Sequence, residues 1–106
     1  MKYGLSDAVI EKLCGVLAQF PEVERAVLYG SRAKGNYKPG SNIDLTLFGE
    51  ALTPKNCATI ADAMDELLLP YTIDLSVFAE LDNADLREHI ERVGVGLYQK
   101  QVDEIR

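Results

Sequence analysis

The chain has little of what most metal and redox sites are built from. Its two cysteines, Cys14 and Cys57, lie far apart and form neither a metal-ligand spacing nor a C-x-x-C pair. That excludes a dithiol motif, and both thiols read as small apolar residues on the buried sides of helices. His89 is the only histidine, which excludes a histidine-rich metal centre. Its charged helical surroundings point to a solvated surface position. No apolar run approaches the ~20 residues of a membrane span, and MKYGLSDAV lacks the apolar stretch of a signal peptide. A cytoplasmic location is therefore expected. Positive charge is scarce as well: 11 Lys and Arg against 17 Asp and Glu leave a formal net charge of -6. Extended duplex binding needs a basic face, so it is not expected.

What remains is the composition of an ordinary globular domain, 47% apolar and 26% charged. A chain of 106 residues buries one core and has no room for a second, so one domain over residues 1–106 is expected. Repeats, low-complexity tracts and internal linkers are missing. Ser6 or Asp7 opens a helix in which Ile10, Leu13, Cys14 and Leu17 recur at helical spacing, and Pro21 closes it. Arg25–Tyr29 is a short apolar run of the kind that forms a buried strand. Ile43–Phe48 alternates, with Ile43, Leu45 and Leu47 facing one way and Asp44 and Thr46 the other. Thr53-Pro54 starts a second long helix, whose stripe is Cys57, Ile60, Ala61, Met64 and Leu68, ended by Pro70. Tyr71–Phe78 alternates again and sets Asp74 opposite Ile73 and Leu75. A last helix from about Asn83 carries Leu86, Ile90 and Val93 inward, and Val95–Gln99 is a final short strand. Helix and strand alternate throughout, which predicts an α/β fold with helices packed on a small sheet.

Function is concentrated between Leu28 and Leu47, LYGSRAKGNYKPGSNIDLTL. A strand ends in Gly30-Ser31, a loop with Arg32, Lys34 and Lys38 follows, and the next strand carries Asp44. Backbone N–H groups at such a turn hold phosphate oxygens, and a glycine there lets the phosphate approach closely. Asp44 and Asp74 stand mid-strand, where β propensity disfavours aspartate. On neighbouring strands they converge, and converging carboxylates repel unless a cation lies between them. A triphosphate with its Mg ion, held by one or two carboxylates, matches this pattern. A P-loop does not, because no Lys-Ser or Lys-Thr follows Gly30 to Gly35. A dinucleotide fingerprint is missing as well.

Gly30-Ser31, then ten residues, then Asn42-Ile43-Asp44, with a later strand carboxylate at Asp74, resembles the DNA polymerase β-type nucleotidyltransferase superfamily. GSRAKG followed by SNIDL in so short a chain is similar to its minimal nucleotidyltransferases, many of them regarded as antitoxins of HEPN-type helical proteins. The resemblance implies a mixed β-sheet with helices on one face and the acidic residues exposed on the other. It implies transfer of a nucleoside monophosphate, AMP from ATP above all, to an acceptor hydroxyl on a small helical HEPN-type partner. Gly30 and Ser31 would contact the phosphates, and Arg32 would serve as a phosphate or strand-anchoring cation. Asn42, Asp44 and Asp74 would hold Mg²⁺ or Mn²⁺, and Asp74 would help deprotonate the attacking hydroxyl. The family pattern has Asp at position 42, where this chain has Asn42. Three outcomes fit that exchange: a weaker working enzyme, a nucleotide binder without turnover, or an interaction module that masks its partner.

Overall fold

In the computed structural model, which describes residues 1–101, Ser6 caps α1 (Asp7–Ala18) by accepting a hydrogen bond from the Val9 N–H. β1 (Arg25–Tyr29) leads through Gly30 into the one-turn helix α2 (Ser31–Lys34), and β2 (Ile43–Phe48) follows the loop. Thr53 caps α3 (Pro54–Asp65) in a reciprocal pair with Asn56, and Pro54 stands in the first turn, where its missing N–H costs nothing. β3 (Ile73–Val77), a 3₁₀ turn (Phe78–Glu80), α4 (Ala84–Val93) and β4 (Val95–Gln99) complete the order.

The sheet runs β3-β2-β1-β4. β1 is antiparallel to both its neighbours, whereas β2 and β3 are parallel. A parallel pair needs a crossover connection, and α3 supplies it. Ala26 and Leu28 of β1 and Ile43, Leu45 and Leu47 of β2 point to one face, where they bury Leu13 and Leu17 of α1 and Ile60 and Met64 of α3. Each fully buried leucine there contributes roughly 1.5–3 kcal/mol. The small mixed sheet of the α/β class is as the sequence implies, with α1 and α3 on this face.

α4 lies on the other face. Val27 alternates with Ala26 and Leu28, and it forms a separate small cluster with Phe78 and with Ile90 of α4. The acidic face is thus partly roofed by a helix, an arrangement that follows from Ile90 and Leu86 being the apolar stripe of an otherwise charged helix. One expected core position departs from the reading above. α3 ends at Asp65, and Leu68 takes a φ of 55° in the turn beyond it and is exposed. Among the described residues no helix is long and apolar enough to cross a membrane.

Candidate active site

The parallel register of β2 and β3 sets Asp44 beside Asp74 and Thr46 beside Ser76. The antiparallel register of β1 and β2 sets Tyr29 beside Asp44. Tyr29, Asp44 and Asp74 therefore form one row across three strands, on the face opposite the main core. Asn42, just before β2, reaches the same row and donates from Nδ2 to Asp74 Oδ2 at 3.0 Å. One step further along, the Ser76 hydroxyl donates to Thr46 Oγ1 at 2.9 Å.

The row is electrostatically crowded. Burial pushes the Asp44 carboxyl above its ordinary pKa, and the hydrogen bond and negative charge of Asp74 push it further, against an opposing pull from His89. Tyr29 is raised chiefly by burial, with a hydrogen bond to Ser76 pulling back and the charges of Asp44 and Asp74 adding to the rise.

Gly30 opens α2 at φ 75° and ψ -154°, backbone that only glycine adopts readily. A Cβ on it would run into the Asp44 carboxylate. The turn and the acidic row are thus in direct contact. Gly30 donates its N–H to His89 Nε2 at 3.3 Å, and the His89 ring stands edge-on to Tyr29 at 6.3 Å and 80° between planes. His89 is half-buried at the site rather than solvated, because α4 folds over this face and brings position 89 to position 30.

A family model described as Polymerase beta, Nucleotidyltransferase matches residues 11–103. The chain belongs to this nucleotidyltransferase family. Among solved structures, a toxin–antitoxin complex with AMP-PNP superposes with a TM-score of 0.70 at 20% identity, over 87% of this chain and 74% of that one. A tri-AMPylated HEPN toxin from Shewanella oneidensis in complex with its MNT antitoxin gives 0.68 at 16% identity, over 91% and 74%. An MntA–HepT toxin–antitoxin structure gives 0.66 at 16% identity, over 90% and 74%. At such identities the likeness is one of fold. No curated protein matches.

Against the nucleotidyltransferase motif, the structure brings Gly30, Asn42, Asp44 and Asp74 together, and Ser31 begins α2 beside them. Arg32 is corrected. Its guanidinium is 1% exposed and donates to the carbonyls of Tyr3, Pro39 and Ser41, between the rings of Tyr37 and Tyr71. It fastens the loop to the N-terminal segment rather than facing out toward a phosphate. His89 was not legible as a site residue, since it lies 59 positions from Gly30 and only the fold joins them.

Among the described residues no three His, Cys, Asp or Glu side chains gather as a metal-holding group. The donor set is thinner: two adjacent carboxylates and an amide. That set fits a Mg or Mn ion drawing its other ligands from a triphosphate and water, and a cation there would offset both the burial and the Asp74 charge that raise the Asp44 carboxyl.

Proposed function

We propose that this nucleotidyltransferase moves AMP from ATP to a hydroxyl of a small helical HEPN-type partner protein. The observation that carries the reading is the register pairing of Asp44 with Asp74 beside the Gly30-Ser31 turn. Gly30 and Ser31 bind the β- and γ-phosphates through N–H groups and the Ser31 hydroxyl. Asn42, Asp44 and Asp74 hold Mg²⁺ or Mn²⁺, which when bound offsets the charge that builds on the transferring phosphoryl group. Asp74 accepts the proton of the acceptor hydroxyl as that oxygen attacks the α-phosphorus. The bond from the α-phosphorus to the bridging oxygen breaks, and pyrophosphate leaves. The choice of adenine and of the partner is supported by the AMP-PNP and the tri-AMPylated HEPN toxin in the complexes of like fold.

One observation favours a second reading, a weakly active or non-catalytic antitoxin that masks its partner. Asn42 gives Asp74 a hydrogen bond from a neutral amide and so compensates part of the negative charge without a cation. The discriminating experiment incubates the chain, with and without a small helical HEPN-type protein, with each labelled NTP and Mg or Mn. Metal-dependent label on the partner from ATP supports the transferase. A stable complex that gains no label from any NTP supports the masking module.

A further inference from the structure

His89 and Gly30 are joined by a contact that the transferase chemistry above leaves unused. The imidazole Nε2 accepts the Gly30 N–H at 3.3 Å, which places the proton of the neutral ring on Nδ1. That same N–H is one of the groups assigned to phosphate, so the imidazole stands where a phosphate oxygen is to bind. The ring is held there rather than passing through: it is half-buried, edge-on to Tyr29, and carried by a helix anchored through Ile90 on Val27 and Phe78.

We propose that His89 is a nucleotide-binding residue of this site, accepting the Gly30 N–H until a phosphate takes that bond and then donating to the phosphate. The inference rests on the transferase reading. A long neutral hydrogen bond to imidazole is weaker than one to an anionic oxygen, so phosphate takes over the Gly30 N–H. The displaced imidazole then has a phosphate oxygen beside Nε2. A neutral imidazole carries one donor and one acceptor nitrogen, and shifting its proton from Nδ1 to Nε2 turns the former acceptor toward that oxygen as a donor. The net charge of the ring does not change. Phenylalanine keeps an aromatic ring against Tyr29 but can do neither. Glutamine can do both, through its amide oxygen and its amide nitrogen.

The experiment is titration calorimetry of the natural chain, His89→Phe and His89→Gln with a non-hydrolysable ATP analogue and Mg, with thermal melts to confirm that each is folded. The Gly30 amide NMR signal is followed in the absence of nucleotide. His89→Phe is expected to lose roughly fivefold to thirtyfold in affinity, the worth of a hydrogen bond to a charged group less the neutral bond it replaces. His89→Gln is expected to recover most of that loss. In the empty chain the Gly30 amide signal is expected to move in His89→Phe and to exchange faster with solvent. Unchanged affinity in a folded His89→Phe overturns the inference, as does a His89→Gln as weak as His89→Phe. A natural chain that binds no nucleotide overturns the transferase reading itself, a result distinct from either of those.

Discussion

At Gly30 the chain leaves β1 with a backbone angle reserved for glycine, and the Asp44 carboxylate fills the space where a side chain would stand. Room for a phosphate is only part of why glycine is needed there. Gly30→Ala is expected to destabilise the fold by about 1–3 kcal/mol and to push Asp44 aside, seen as a lower denaturation midpoint together with lost nucleotide affinity. Asp44, a proposed metal ligand, is held at a cost to the fold. Its folded pKa lies above the ordinary 3.8, so between the two the folded chain binds more protons than the unfolded one. Stability from this group is therefore present in acid and lost as pH rises through the folded value. Asp44→Asn is expected to stabilise the metal-free protein at neutral pH, with the gain vanishing below the ordinary pKa. Urea melts of both proteins across pH check this, and a destabilised Asp44→Asn at neutral pH would contradict it. At this scale the motif residues were legible, because alternation alone points Asp44 and Asp74 away from the apolar side. Which of its two expected roles Arg32 would take, and that His89 would reach the site at all, were not. Each depends on partners that chain order does not reveal: carbonyls at Tyr3, Pro39 and Ser41 for one, the Gly30 N–H for the other.

The elements were readable where local chemistry fixes their ends. Ser6 and Thr53 cap the helices they were expected to start, and β1 and β2 have the bounds that their apolar runs mark. Where local chemistry is ambiguous the reading failed, as at Leu68, whose spacing extends the α3 stripe although the chain has already turned. The face on which α4 packs was likewise hidden. Leu86 and Ile90 define an apolar stripe, but a stripe does not name the side of the sheet that receives it. Because α4 sits on the acidic face, its packing and the site are coupled. Ile90→Ala is expected to cost about 2–4 kcal/mol by emptying the small cluster with Val27 and Phe78, and also to weaken nucleotide binding by releasing His89. Leu45→Ala in the main core should cost a similar amount with little direct effect on binding by the folded fraction. Chemical denaturation and calorimetry on the pair separate the two effects, and equal binding in both variants would contradict the coupling.

Over the whole molecule, two long helices and a four-stranded sheet hold one face closed, while the other presents the acidic row beneath the edge of α4. The negative charge of this face is only partly compensated in the protein itself, by the Asn42 amide and His89, and the excess of acidic residues in the chain adds to it. Nucleotide and cation together are thus the natural complement of the surface. Asn42 sets the strength of that complement: Asn42→Asp restores a charged ligand beside Asp44 and should raise metal affinity and transfer rate together. Asp74 decides whether there is transfer at all, because in this account it is both a ligand and the acceptor of the hydroxyl proton. The most direct test is single-turnover transfer of labelled AMP from ATP, in the presence of the helical partner, by the natural chain and by Asp74→Asn. Transfer by the natural chain and none by Asp74→Asn is the predicted result; transfer by Asp74→Asn at the natural rate would contradict it.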